Sequence, residues 1–108
     1  MDLTKQKCVP CEGGTPPFTR AEAEARLAEI PSWNLVSDGE IKRAYKFRDF
    51  AEAIKFVNQV ATLAEAEGHH PDITIAYNQV ILSLTTHAVG GLSINDFILA
   101  AKINEIIP

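Results

Sequence analysis

The sequence predicts an α+β domain: a four-stranded antiparallel sheet with helices packed on one face, in the order helix-strand-strand-helix-strand-strand-helix. Three observations predict it. Helix-start signatures recur after Phe18, after Arg48 and after Leu92. Two pairs of short, strand-like segments lie between those starts, one around Asp38-Gly39 and one around Asn78-Gln79. Finally, 108 residues make one domain, burying roughly two-thirds of the surface its unfolded chain exposes.

The first 17 residues are expected to be a flexible leader, and residues 18–108 the domain proper. The leader contains the only two cysteines, Cys8 and Cys11, in "CVPCEGG". A zinc site needs about four ligands and there is no second pair downstream. A redox pair wants its first cysteine at a helix N-terminus, whereas Gly13, Gly14, Pro16 and Pro17 follow here. A reduced, loop-like leader is the expected state.

Thr19 with Glu22 forms a capping box, so a short helix starts there and stops by Pro31. Asp38-Gly39 then marks a hairpin. On its second strand Ile41, Tyr45 and Phe47 share one parity and Lys42, Lys46 and Arg48 the other, a strand with one buried and one wet face. Asp49 caps a long helix whose expected inner stripe is Phe50, Ala53, Ile54, Val57, Val60, Ala61 and Ala64, with Gly68 as its stop. A two-residue turn at Asn78-Gln79 would set Ile75 against Leu82, Ile73 against Leu84 and His70 against His87. The last helix begins after Ser93 and is apolar nearly all round, which predicts a self-association surface.

Composition narrows the function. A net charge of −4 argues against direct nucleic-acid binding, and the local group Lys42, Arg43, Lys46 and Arg48 reads as a solvated strand face. No apolar run approaches the roughly 20 residues of a membrane span, and "MDLTKQK" lacks a signal-peptide h-region, so a cytoplasmic protein with no membrane partner is expected. There is no phosphate-binding loop and no nucleophile motif.

What stands out is "EGHHPDITIAYNQVILSLTTHAVGG", residues 67–91, which holds all three histidines of the chain. Three readings compete for His69, His70 and His87. They satisfy local hydrogen bonds, or they hold a metal, or they act as general acid and base on a small organic substrate. Adjacent histidines in an extended chain point to opposite faces, which counts against the metal.

The spacing carries a further signal. Glu65, three residues, His69-His70-Pro71, five residues, Tyr77, nine residues, His87, eight residues and Asp96, together with Trp33-Asn34, resemble the signature of the pterin-4a-carbinolamine dehydratases over about residues 18–108. The resemblance implies a sheet backed by helices, assembled into homodimers or homotetramers. It implies dehydration of 4a-hydroxytetrahydropterin to quinonoid dihydropterin, with no cofactor and no metal. It makes His69 and His87 the acid/base pair and His70 the residue that holds and polarises the pterin. Pro71 restricts His70; Thr86 and Ala88 line the pocket. Asp96 caps the last helix, orients a histidine, or does both, and Glu65 belongs either to the site or to the surface. Implied partners are the pterin itself and an aromatic amino-acid hydroxylase whose cofactor is recycled. Two alternatives stay open: a pterin-binding protein of molybdopterin metabolism, and a dimerisation module, since a family member in animals partners a homeodomain transcription factor.

Overall fold

The structure, a computed structural model, describes residues 2–10, 15–37 and 39–107. Three helices, α1 (Arg20–Leu27), α2 (Phe50–Glu67) and α3 (Ile94–Ile106), accompany four strands, β1 (Asn34–Val36), β2 (Glu40–Lys46), β3 (Asp72–Ala76) and β4 (Gln79–Leu84). The sheet is antiparallel in the order β1-β2-β4-β3, so two hairpins join through their second strands. Fold class and element order are those the sequence predicts.

The capping chemistry is also as read. The Thr19 hydroxyl accepts the Glu22 N–H while Glu22 Oε1 accepts the Thr19 N–H at 2.9 Å; Asp49 caps α2 through the Glu52 N–H at 2.9 Å. Gly68 ends α2 in the left-handed region at φ 69°, which a side chain would strain. The first hairpin closes between Val36 and Glu40; Asp38, half of its turn signal, lies outside the described residues.

Alternation decides which face of the sheet is covered. Ile41 and Tyr45 on β2 and Val80, Leu82 and Leu84 on β4 are buried against the helices. Tyr45, Phe47 and Phe56 form an aromatic cluster there, with Phe56 4.5 Å from Tyr45 and 5.2 Å from Phe47 between ring centroids. The inner stripe of α2 is therefore Ala53, Phe56, Val60 and Ala64. Phe50 and Ala61, expected inside, are exposed, and Ile54 and Val57 are half-buried. The helix is rotated because Phe56 supplies the largest apolar surface, and Tyr45 on β2 with Phe47 just beyond it gives it a partner.

The second hairpin corrects the expected register. Ile75 pairs with Val80, Ile73 with Leu82 and Asp72 with Ser83, a slip of two residues, because the turn is Tyr77-Asn78. Tyr77 adopts φ 54°, and Asn78 is fixed from outside the hairpin: its carbonyl accepts the Phe47 N–H at 2.7 Å and its Nδ2 donates to Phe47 O at 3.0 Å. A slip of two preserves every residue's face, so the burial pattern survives while the facing of His70 and His87 does not.

Helix α3 needs no second copy to cover it. Residues 95–101 and Ile103 are buried within the chain, beneath the sheet on one side and α2 and the leader on others. Over residues 2–10 the leader is packed as a strap. Leu3 and Cys8 join the core, Lys7 Nζ donates to Ala66 O at 3.1 Å, and the Cys8 N–H donates to Glu67 Oε1 at 2.9 Å. Burial works to raise the Glu67 carboxyl, but Lys102 at 2.8 Å and the Cys8 N–H outweigh it and hold it below its ordinary value. Cys11 lies outside the described residues.

Two members of the basic group at β2 meet carboxylates and a third is held by uncharged partners. Lys42 pairs with Glu40, Arg48 with Asp49 and Glu52, and Arg43 bonds Asn104 while lying 4.3 Å over the Tyr45 ring. Among the described residues no helix is long and apolar enough to cross a membrane.

Candidate active site

Two chain connections meet at one end of the sheet. The first runs from the end of α2 through Gly68, His69, His70 and Pro71 into β3. The second runs from β4 through Thr85 and Thr86 into a short 3-10 turn, His87–Val89, and on to α3. A bridge between Thr86 and Gly91 closes the second connection, with the Thr86 N–H donating to Gly91 O at 2.8 Å. Gly91 has to be glycine for room: a Cβ there would lie 2.9 Å from Pro17 Cβ. The adjacent Phe18 N–H donates to Leu92 O at 2.8 Å, so the end of the leader braces this loop.

Between the two connections lies a cavity of about 300 Å³, lined by His69, His70, Thr86, His87 and Ala88 among others. Five of the eight residues singled out in the sequence thus share one wall, and all three imidazoles are among them. Convergence comes from the loops, since His87 sits on the 3-10 turn and not on β4. A larger depression, about 650 Å³, lies on the outside of α2 around Phe50, Ile54 and Asn58 and is lined by no imidazole or carboxylate. Of the two, the smaller is the one lined by imidazoles, the groups suited to proton transfer near neutral pH.

Asp96 stands directly behind this wall and is fully buried. Its Oδ1 lies 2.6 Å from His69 Nε2; its Oδ2 accepts the Thr86 hydroxyl at 2.7 Å and the Ser93 N–H at 3.0 Å. One carboxylate thus completes the capping box of α3 and contacts His69. Because a carboxylate only accepts, Nε2 of His69 carries the hydrogen, which leaves Nδ1 as the atom able to take or give a proton. Thr86 is oriented in turn by Ser93 Oγ at 2.8 Å.

The outer pair is of another kind. His70 Nε2 contacts Glu65 Oε2, with 59% and 77% of the two side chains exposed. Water screens such a pair, so it orients His70 loosely. His87 is exposed and has no side-chain hydrogen bond among the described residues. Pro71 stays outside the cavity lining but precedes β3, where it restricts His70 to extended conformations. Among the described residues no group of three or more His, Cys, Asp or Glu is placed to hold a metal ion. The Nε2 atoms of His69 and His70 turn to separate carboxylates rather than to a common point.

Sequence reasoning missed Val9, Pro10, Gly68, Thr85 and Asn95, which complete the lining. Asn95 had a signal, as the neighbour of Asp96 at the start of α3. Val9 and Pro10 had none, since they belong to the leader.

Fold and site define a single-sheet α+β domain with an imidazole-lined cavity of small-molecule size. The family model for pterin 4 alpha carbinolamine dehydratase matches residues 16–106, and the chain belongs to that family. A protein of Halorhodospira halophila, provisionally named pterin-4-alpha-carbinolamine dehydratase, is 48% identical over 107 residues, covering 98% of each chain. One of the same provisional name from Cupriavidus pinatubonensis is 48% identical over 96% of this chain and 90% of its own. The crystal structure of a transcriptional coactivator/pterin dehydratase from Brucella melitensis superposes with a TM-score of 0.79 at 35% identity, covering 85% of this chain and 99% of that one. A pterin dehydratase-like protein described as a RuBisCO assembly factor shares the fold alone, at 21% identity and a TM-score of 0.60.

Proposed function

We infer that the protein dehydrates 4a-hydroxytetrahydropterin to quinonoid dihydropterin by histidine general acid/base catalysis. The observation that carries this reading is the meeting of three imidazoles on one cavity, with the fixed orientation of His69 by buried Asp96, in a chain of this family.

The reaction breaks the C4a–O bond and the N5–H bond and makes a C4a=N5 double bond, with water leaving. One proton must reach the departing oxygen and another must leave N5, and no electrons are exchanged with an outside acceptor. Two imidazoles of opposite protonation suffice. His69, with its hydrogen on Nε2 held by Asp96, is preorganised to use Nδ1; His87 is free to rotate on its turn and exchange protons with solvent. These two form the acid/base pair, and His70 holds and polarises the pterin. Thr86 has a double part, lining the cavity and keeping Asp96 in place. Each positioned acid or base typically contributes ~10²–10⁴-fold.

In the cell, the reading is recycling of the pterin cofactor of an aromatic amino-acid hydroxylase, in the cytoplasm, by a homodimer or homotetramer. Likeness to the Brucella melitensis coactivator/pterin dehydratase favours one second reading, a non-catalytic dimerisation module. Stopped-flow absorbance of 4a-hydroxytetrahydropterin decay separates them. Chelator-resistant acceleration by the wild-type protein is expected for the enzyme; decay at the uncatalysed rate with well-folded protein would leave the module.

A further inference from the structure

The histidine cavity has a wall that belongs to neither histidine loop. Val9 and Pro10, at the end of the N-terminal strap, line it beside Asn95. The strap is held at this point by a two-way clasp. The Val9 N–H donates to Asn95 Oδ1 at 3.1 Å, and Asn95 Nδ2 donates back to Val9 O. A carboxamide that meets the donor and acceptor of one residue fixes its position as a strand partner would. Asn95 is itself buried and precedes Asp96, the residue that orients His69. Further back, the buried Cys8 side chain and the Cys8–Glu67 hydrogen bond keep the strap from sliding.

Against this anchoring, Val9 leaves 60% of its surface exposed at the cavity. The rest of the lining is mostly polar or small: imidazoles, threonines, glycine and alanine. A reduced pterin has hydrogen-bonding edges but apolar faces, and the strap offers the larger apolar side chains that such a face needs.

Resting on the pterin reading above, we propose that the strap is a substrate-binding wall: Val9 and Pro10 pack on the bound pterin, and Asn95 is the positioning residue that sets them. The strap contributes affinity and selection of the pterin, while proton transfer stays with the histidines. Losing the wall therefore raises KM and leaves kcat at saturation nearly unchanged.

Val9→Ser removes the apolar face without threatening the fold, because the side chain it replaces is largely exposed. Asn95→Ala releases the clasp by an independent route. Both are compared with wild type in steady-state dehydration and in fluorescence titration with 7,8-dihydrobiopterin, a non-reacting reduced pterin. The expected result is a rise of about tenfold or more in KM and Kd for both variants, with kcat within about twofold of wild type. Wild-type KM and Kd in both variants, or a fall in kcat with KM unmoved, would overturn the wall while leaving the dehydratase reading intact. A wild-type protein that neither binds the reduced pterin nor speeds dehydration would overturn that reading, and the wall with it.

Discussion

Asp96 lies 2.6 Å from His69 Nε2 and is, with the same carboxylate, the cap of the last helix: its second oxygen accepts the Ser93 N–H at 3.0 Å. One buried side chain therefore couples the start of α3 to the orientation of an imidazole on the opposite loop. The coupling is stiff because the Thr86 hydroxyl and the Ser93 N–H hold the second oxygen in place.

Asp96→Asn keeps the size of the side chain but replaces one acceptor oxygen with a donor. The single amide oxygen can then face either His69 Nε2 or the Thr86 and Ser93 donors, and the negative charge beside the imidazole is lost. Turnover should fall ~10–100-fold, as for loss of an orienting carboxylate, and stability by about 1–3 kcal/mol. Steady-state dehydration and urea unfolding check the two halves. A full loss of stability with unchanged turnover per folded molecule would reduce Asp96 to a cap.

Glu65 contrasts with Asp96. Its contact with His70 is solvent-exposed on both sides, so Glu65→Gln should change stability by less than about 0.5 kcal/mol and turnover by no more than about threefold. A loss of ~100-fold in the same assay would instead give Glu65 a place in proton transfer.

Alkaline pH should unfold the protein sooner than its acidic composition suggests. Burial, with the Glu67 carboxylate beside it, pushes the Cys8 thiol from 9.0 up to about 12, and burial raises the Tyr45 hydroxyl from 10.0 to about 12 against the pull of Arg43. In that window the unfolded chain has released protons that the folded chain keeps. The unfolded state binds fewer, and stability falls as pH rises. Urea midpoints at about pH 8 and about pH 10.5 should show the loss, and Cys8→Ala should reduce its slope. A flat profile would mean that Cys8 is open to water, and the strap with it.

Gly91→Ala places a Cβ where Pro17 leaves no room, at the bridge that closes the His87 loop. Overpacking of this kind costs about 1–3 kcal/mol. The Tm should drop, and dehydration should slow with it, because Thr86 and His87 share the loop. An unchanged Tm would show that Pro17 yields easily.

Much of this was legible in the residues. Capping boxes at Thr19 and Ser93 and the aspartate cap at Asp49 are local chemistry, and they set all three helices. Strand parity on β2 and β4 gave the covered face of the sheet for the same reason. The turn was misread because Tyr77, a residue with no preference for positive φ, holds φ 54° under a tertiary anchor from Asn78 to Phe47. Long-range partners are invisible to a local rule. The apolar surround of α3 predicts a self-association surface, whereas in the chain its cover includes the strap, which composition reads as a loop. At the cavity, the sequence spacing singles out His69, His70 and His87, which share its lining, whereas Val9 and Asn95 come to it only through the packing of the strap.

The central claim is that His69 and His87 are the acid and base of a pterin dehydration. Stopped-flow decay of 4a-hydroxytetrahydropterin with His69→Ala and His87→Ala, each verified as folded by its urea midpoint, tests it most directly. Each variant should lose ~10²–10⁴-fold of the catalysed rate while retaining binding of the reduced pterin. Wild-type turnover in both folded variants would contradict the account.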